Sequence, residues 1–429
     1  MLRTYRQLLR SNRNFRLLWM AQIVSELGDW FYSLAVYHLL LELSGNRAES
    51  VGLAVVLQVL PSTFISPTAG ALNDRLSRKA IMIGADVARF FIVLGMLAVR
   101  TRAMVWLVYP LLLAETLGWA FFEPAHSAVI PNIVAPEEVL PANALASITW
   151  SFCLAVGASL GGIVAVLAGR DTVFVINALS FLASAWLIHR MRFAEPHAAG
   201  LPRVRARDLV DFRPVVEGFR YIRSDRQLFA TVFVKAGGGI LGANNVILPM
   251  LGHRVFPVRL GGMDVDRGAM LGMSLLMAAR GAGALLGPLV GGRWARERHE
   301  RLRNGILFGF LLAAAGYVSL GGAGALWMAI LAVVVAHSGS STNWVFSTTL
   351  LQVYSDDRFR GRVFAADYGL CMLGVSSSSY IAGMAIDLGA SVRTCALAIG
   401  CAMLIPAAAW AAVLANGRSH RAGMGQRTG

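Results

Sequence analysis

Long apolar runs alternate with short, mostly basic connections along almost the whole chain. About twelve of these runs are long enough to cross ~30 Å of hydrocarbon at ~1.5 Å of rise per helical residue. Their predicted boundaries are 15–42, 50–72, 79–99, 103–125, 143–168, 172–193, 228–253, 268–292, 302–321, 324–352, 362–388 and 391–415. The pattern predicts an all-α integral membrane protein with twelve transmembrane helices.

The basic residues are unequally divided between the two sets of connections. Of the 39 Lys and Arg residues, 28 lie in the N-terminal arm, in alternate connections and in the tail, and eight lie in the other connections. Three remain inside predicted spans, namely Arg89, Lys235 and Arg280. Because basic connections are retained on the cytoplasmic side, both termini are predicted to be cytoplasmic.

Composition narrows the class of protein further. The chain is 56% hydrophobic and 15% charged, with a mean hydropathy of +0.59, which excludes an ordinary soluble enzyme. The net charge of +15 comes from arginines beside span ends, where topology and membrane lipids explain it without a nucleic-acid partner. We find no phosphate-binding Gly-rich loop and no metal-ligand spacing, so we expect no enzyme activity, no cofactor and no metal.

One long connection divides the chain. We predict a six-helix bundle over residues 1–193, a cytoplasmic linker over 194–227, and a second six-helix bundle with a short tail over 228–429. Within the linker, apolar residues alternate with charges between Asp208 and Arg223, which predicts an amphipathic helix on the membrane surface. Pro67-Thr-Ala-Gly70 at the end of span 2 is similar to Pro288-Leu-Val-Gly291 at the end of span 8, 221 residues later, as expected for related halves.

The first span carries a polar stripe. Gln22, Glu26, Asp29, Ser33 and Tyr37 are spaced by four, three, four and four residues, so they share one helix face. Carboxylates inside hydrocarbon are costly unless they face water or a partner. Two such groups close together could share and release a proton, which makes Asp29 and Glu26 candidate proton carriers. The alternative is that either one pairs with an arginine to hold helices together.

Four segments resemble a known group of membrane proteins. The connection after span 2 reads Gly70-Ala-Leu-Asn-Asp74-Arg75-Leu-Ser-Arg78-Lys79 and is similar to the loop signature of the major facilitator superfamily. The strings Asn14–Trp19, Gly28–Phe31 and Glu137–Ala144 resemble the branch that contains enterobactin exporters and macrolide-efflux proteins.

This resemblance implies a fold and an activity. The fold is two six-helix bundles in which spans 1, 4, 7 and 10 line a central cavity. The activity is secondary active export of a small amphipathic compound (a drug, a siderophore or a secondary metabolite) by proton antiport, from a monomer in a bacterial inner membrane. In the superfamily the loop latches one conformation, with its aspartate facing the start of span 11. Here Asp74 would face Gly361–Arg362. Gly70 would allow close packing of span 2, and Arg75, Arg78 and Lys79 would supply positive charge. The alternative is that these three cations only determine the topology.

Further candidates lie in other spans. Glu115 and Glu123 in span 4 are candidate coupling groups, although many drug antiporters carry an arginine in that span. Arg280 and Lys235 could neutralise a carboxylate or contact an anionic substrate, and Lys235 could instead extend towards the interface. Asp86 and Arg89, three residues apart, are predicted to form a structural ion pair. The remaining predicted cavity-lining side chains are Trp119, His337, Ser341 and Trp344.

Three other functions remain open at this stage. A lipid or lysolipid flippase with the same fold would need a lateral opening that sequence does not reveal. A non-transporting membrane sensor or scaffold is disfavoured because the chain offers no soluble domain to pass on a signal. A membrane-embedded enzyme would show covalent turnover of a substrate by purified protein.

Overall fold

A computed structural model of the protein describes residues 2–73, 76–195, 213–259, 264–295, 298–355 and 357–425. Within these ranges the regular structure is helical. The helices of the first half are α1 (Leu2–Ser11), α2 (Arg13–Ser44), α3 (Ala48–Asn73), α4 (Arg78–Gly95), α5 (Val108–Ile133), α6 (Val139–Ala168) and α7 (Arg170–His189). Short 3₁₀ turns at Met96–Ala98, Arg102–Leu107 and Pro136–Glu138 join some of them.

The second half begins with a short helix and continues with longer ones. They are α8 (Arg213–Ser224), α9 (Arg226–Gly238), α10 (Asn244–Met250), α11 (Val265–Ala295), α12 (His299–Gly321), α13 (Leu326–Tyr354), α14 (Asp357–Asp387), α15 (Val392–Ala402) and α16 (Leu404–Gly425). Between α9 and α10 lies a 3₁₀ turn at Gly239–Ala243, and a π-helical turn at Leu251–Val255 follows α10.

The predicted membrane fold is confirmed. Among the described residues, ten helical segments are long and apolar enough to cross a membrane. The two other predicted spans lie in α2 and α6, which have 32 and 30 residues. Large apolar side chains are exposed on many helices, for example Leu167 on α6, Phe308 on α12 and Ile405 on α16. Such surfaces suit contact with lipid chains.

Contacts divide the described chain into two compact units. The first contains Met1–Asp211 and Gly252–Ala278, and the second contains Phe212–Leu251 and Ala279–Gly429. Each unit is therefore built from two segments that are not adjacent in the sequence. The predicted partition at residues 194–227, with its two six-helix bundles, stays a prediction.

In the first unit, α2 to α7 run between two distinct ends. One end holds a cluster of buried apolar residues from α1, the end of α5, the start of α6 and the end of α7. At the other end, the salt bridges Arg100–Asp171 and Arg170–Glu42 join the ends of α2 and α4 to the start of α7. Consecutive connections thus alternate between the two ends, as expected of helices that each cross the bilayer.

In the second unit, the predicted span 228–253 is discontinuous. The helix α9 ends at Gly238, inside the glycine run Gly237–Gly239, and the 3₁₀ turn begins at the next residue. The turn lies tightly against α14, because a Cβ atom on Gly242 would come within 2.3 Å of Val375 Cα. Two hydroxyl groups of α14 complete the contact: Ser378 Oγ donates to Gly239 O and Ser379 Oγ donates to Gly242 O, each at 2.8 Å.

The predicted amphipathic helix of the linker corresponds to α8. Its described part begins at Arg213, and residues 208–212 of the prediction lie outside the described residues. Ile222 is buried with residues of α9, α13 and α14, and the ring of Tyr221 stacks on Phe359 at a centroid distance of 4.4 Å. The end of the linker is therefore packed onto the second unit.

Candidate transport site

The strongest concentration of buried charge lies in the first unit, around Arg89 of α4. Arg89 Nη2 lies 2.8 Å from Asp29 Oδ2 of α2 and 2.8 Å from Glu115 Oε1 of α5, and its Nε donates to the same Glu115 oxygen at 3.0 Å. Arg89 Nη1 also lies 3.7 Å from Asp86 Oδ1, one helical turn away on α4. Three carboxyl groups from three helices therefore surround one guanidinium group.

The members of this cluster differ in accessibility. The side chain of Arg89 is 2% exposed, that of Asp86 is fully buried and that of Glu115 is 11% exposed, whereas the side chain of Asp29 is 30% exposed. Asp29 Oδ1 and both oxygens of Asp86 are buried without a hydrogen bond. Asp29 is thus the carboxyl group of the cluster that water or a substrate reaches most easily.

Packing fixes the position of the guanidinium group. Its carbon lies 3.9 Å from the centroid of the Phe181 ring on α7, a cation–π contact. On α5, a Cβ atom at Gly118 would lie 2.7 Å from Arg89 Cγ, so only glycine leaves room for the aliphatic part of the arginine side chain. Neither Phe181 nor Gly118 was a candidate from sequence.

The polar side chains along one face of α2 form hydrogen bonds with several different partners. Gln22 Nε2 donates to Glu26 Oε1 at 2.9 Å and to Ala146 O at 3.2 Å. Ser33 Oγ donates to Asp29 O at 2.9 Å, and Tyr37 Oη donates to Gln58 Oε1 of α3 at 2.8 Å. Glu26 and Asp29 therefore bind different groups, Glu26 an amide and Asp29 a guanidinium.

The candidates of α5 are also separated. Glu115 belongs to the Arg89 cluster, whereas Glu123, two turns further along, accepts a hydrogen bond from Ser127 Oγ at 3.2 Å. Trp119 is half-buried between them. The arginine that many drug antiporters carry in span 4 is missing here, and Arg89 of the preceding span supplies a guanidinium group to Glu115.

A second buried ion pair lies in the second unit. Lys235 Nζ of α9 lies 2.6 Å from Asp367 Oδ2 of α14, and the two side chains are 6% and 1% exposed. The ammonium group also lies 4.5 Å from the ring centroid of Trp344 and 5.8 Å from that of Phe364. The two residues lie 132 positions apart, so their spacing does not indicate this pairing.

The other candidates of the second unit make hydrogen bonds. Arg280 Nη1 donates to Asn245 Oδ1 at 2.7 Å, which places the guanidinium group beside the discontinuous part of span 7. His337 Nε2 lies 3.2 Å from Tyr317 Oη, a contact between α13 and α12. Ser341 Oγ donates to backbone carbonyls, including that of Gly283 on α11 at 3.5 Å.

The loop signature is only partly described. Gly70 lies near the end of α3, and Asp74 and Arg75 lie outside the described residues. Arg78 Nη1 donates to Ala128 O of α5 at 2.9 Å, while Lys79 Nζ donates to His189 O at 2.9 Å and to Met191 O at 2.7 Å. Both cations therefore bind carbonyl groups near the ends of α5 and α7. The latch between Asp74 and Gly361–Arg362 stays a prediction.

Known proteins of similar sequence are membrane transporters. The chain is 26% identical over 385 residues to macrolide efflux protein A of Streptococcus pyogenes, covering 87% of this chain and 89% of the relative. It is 28% identical over 332 residues to macrolide efflux protein A of Enterococcus faecalis, covering 73% of this chain and 96% of the relative.

Solved structures show the same fold at lower identity. The crystal structure of the nucleoside transporter NupG matches with a TM-score of 0.71 at 11% identity, covering 93% of this chain and 98% of that one. A bacterial homologue of the iron transporter ferroportin, in an inward-facing state, matches with a TM-score of 0.68 at 14% identity, covering 93% and 98%.

A family model decides the assignment. The model described as transmembrane secretion effector matches residues 9–420, which is nearly the whole chain. The chain therefore belongs to the transmembrane secretion effector family of the major facilitator superfamily, and it is a membrane transporter, not an enzyme.

Proposed function

We propose that this transporter exports a small amphipathic compound by proton antiport, with alternating access to the two sides of the membrane. The observation that carries the proposal is the cluster of Asp29, Asp86 and Glu115 around Arg89. If all three carboxyl groups were ionised, one guanidinium group would leave two negative charges uncompensated inside apolar helices. A site of this kind gains from binding a proton or a cationic group and changes its interactions when it releases one.

Asp29 is the carboxyl group to which we assign proton exchange. It is the most exposed of the three, and its bond to Arg89 joins α2 to α4. A proton on Asp29 would weaken that bond, and its loss would restore it, so proton exchange would alter the contact between the two helices. One charge moving through 100 mV supplies ~2.3 kcal/mol, enough for roughly fifty-fold accumulation of a substrate.

The direction and substrate class rest on the relatives. Both named relatives are macrolide efflux proteins, and macrolides are compounds of the proposed amphipathic kind. We further propose that the protein works as a monomer in a bacterial inner membrane, with both termini cytoplasmic and with lipids, protons and the substrate as its partners. The basic connections support this orientation.

The test is transport by inside-out membrane vesicles with an imposed pH gradient, measured over a panel of amphipathic compounds. Asp29→Asn should abolish uphill accumulation and leave counterflow exchange of the same compound intact. The matched control is Asp171→Asn, which removes an exposed carboxylate at the start of α7. Uphill accumulation by Asp29→Asn with normal pH dependence would overturn the assignment. Transport of fluorescent lysophospholipid, with none of the soluble compounds moved, would favour a flippase instead.

A further inference from the structure

The short helix α1 is fixed at one end of the first unit. Leu8 is 1% exposed, and Tyr5 and Leu9 pack beside it against the cluster formed by the ends of α5, α6 and α7. This apolar side leaves the polar side of α1 facing outwards. The helix therefore lies across the end of the unit as an amphipathic segment.

Hydrogen bonds at the junction with α2 hold α1 in place. Asn12 N donates to Leu8 O at 3.0 Å, while Asn12 Nδ2 donates to Ile133 O of α5 at 2.5 Å. Arg16 Nη1 donates to the last carbonyl groups of α1, to Leu9 O at 3.0 Å and to Arg10 O at 3.4 Å. The outward face of α1 is consequently a fixed surface.

That outward face lines an open hollow of about 430 Å³. Its lining residues are Arg6, Gln7, Arg10 and Ser11, all of them exposed. Arg6 and Arg10 are four residues apart and so share one side of the helix. No carboxylate of the described residues pairs with either guanidinium group, and α1 itself contains no acidic residue. The hollow thus presents two uncompensated guanidinium groups and a side-chain amide.

The chemistry and position of the hollow indicate its ligand. Guanidinium groups bind phosphate oxygens through parallel N–H donors, and paired arginines hold such a group better than one does. Because α2 starts at Arg13 and then enters the first apolar run, α1 lies at the boundary between membrane and water. The anion present at that depth in every membrane is the phosphate of a phospholipid. We propose that Arg6 and Arg10 form a binding site for the headgroup of an anionic phospholipid.

The experiment compares lipid retention by the full-length protein and two charge-matched variants. Each is purified in detergent, mixed with phosphatidylglycerol or phosphatidylcholine, and examined by native mass spectrometry. Arg6→Gln/Arg10→Gln removes the site. Arg47→Gln/Arg102→Gln removes the same charge from exposed positions in the connections after α2 and before α5.

The parent protein should retain phosphatidylglycerol in preference to phosphatidylcholine. Arg6→Gln/Arg10→Gln should weaken phosphatidylglycerol binding about 25-fold, at about fivefold per arginine, while the control pair stays within about twofold of the parent. Arg6→Lys/Arg10→Lys should recover only part of the binding, because the charge is kept but the parallel N–H donors of the guanidinium groups are lost.

Three results would overturn the proposal. Equal retention by the Arg6→Gln/Arg10→Gln variant and the parent would show that the hollow holds no lipid. Equal loss in the control pair would show a general effect of charge. Displacement of the lipid by millimolar inorganic phosphate would identify a site for the free anion. The same mass spectra identify a misassembled variant, because such a variant loses the charge-state distribution of the native protein.

Discussion

At the residue scale, the Arg89 cluster depends on a glycine, Gly118, which leaves space for the arginine side chain. Gly118→Ala would place a Cβ atom 2.7 Å from Arg89 Cγ and 3.0 Å from Arg89 Cδ. Because Arg89 is held by three carboxyl groups and the Phe181 ring, the stem cannot move away freely. We expect this variant to lose ~1–3 kcal/mol of stability and most of its transport activity.

Thermal unfolding of the purified protein and vesicle transport would measure the two effects. The control is Gly84→Ala, also within a membrane-spanning helix, where an added Cβ meets nothing within 4 Å. If the two variants melted and transported alike, the close fit around Arg89 would have no importance.

The Lys235–Asp367 pair gives a second prediction at this scale. Asp367→Asn leaves an ammonium group in a site that is 6% exposed, and Lys235→Met leaves a buried carboxylate, so each should cost about 3–5 kcal/mol. The double variant Lys235→Met/Asp367→Asn removes both charges and should be clearly more stable than the sum of the single losses predicts.

Melting temperatures in one detergent would provide the double-mutant cycle. The exposed pair Arg267–Asp264, with N–O distance 3.2 Å, is the matched comparison and should show almost no coupling because water screens both charges. Additive losses for Lys235 and Asp367 would mean that their contact contributes nothing.

The sequence predicted part of the site for a clear physical reason. Asp86 and Arg89 share one helix, so their spacing alone brought them together in the prediction. Asp29 and Glu115 lie 60 and 26 positions from Arg89 and reach it only through the packing of α2, α4 and α5. Hydropathy locates helices along the chain but not their rotation or neighbours, so the cluster of four could not be read from the sequence.

At the element scale, the discontinuous helix of span 7 depends on contact with α14. Gly242→Ala would place a Cβ atom 2.3 Å from Val375 Cα and 2.5 Å from Val375 O, and backbone atoms cannot rotate away. α14 would have to shift, stretching the bond from Ser379 Oγ to Gly242 O. We expect a loss of stability of ~1–3 kcal/mol or more, with impaired transport.

Gly238→Ala is the control for this element, since it changes the same glycine-rich stretch where an added Cβ meets nothing within 4 Å. Both variants would be compared by thermal unfolding and by transport. A Gly238→Ala protein damaged as severely as Gly242→Ala would show that flexibility of the stretch matters, and not its contact with α14.

Hydropathy predicted the helical elements well and their internal breaks poorly. Long helices were predicted from the twelve apolar runs, because backbone N–H and C=O groups inside hydrocarbon must form hydrogen bonds within their own segment. The 3₁₀ turn at Gly239–Ala243 is tolerated because Ser378 and Ser379 satisfy its carbonyl groups, and those donors lie more than 130 positions away. The glycines in this stretch permit the break, but the side chains that stabilise it come from tertiary structure.

At the scale of the whole molecule, the side of the membrane on which each connection lies depends on how many helices cross the membrane before it. Ten described segments meet the requirements of length and apolarity, and α2 and α6 complete the predicted twelve. In the first unit the buried cluster around Leu8 lies at one end and the Glu42–Arg170 pair at the other, so α2 spans the unit. The same reasoning applies to α6, which starts in that cluster at Ala142 and ends beside Arg170. The predicted orientation therefore requires both helices to cross.

Reporter fusions along the chain test this directly, with an enzyme active only in the cytoplasm and one active only outside. Fusions after Glu138, Arg220 and Arg418 should read cytoplasmic, and fusions after Asn46, Gly169 and Arg259 should read external. The fusion after Asn46 follows α2, and the fusions after Glu138 and Gly169 lie on either side of α6. A failure of either helix to cross the membrane would therefore show at its own fusion sites. Because positive connections are retained in the cytoplasm, removing the basic residues of the N-terminal arm should weaken the cytoplasmic signal of the early fusions first. A cytoplasmic signal after Arg259 would contradict the twelve-span arrangement, since an odd number of helices must precede an external connection.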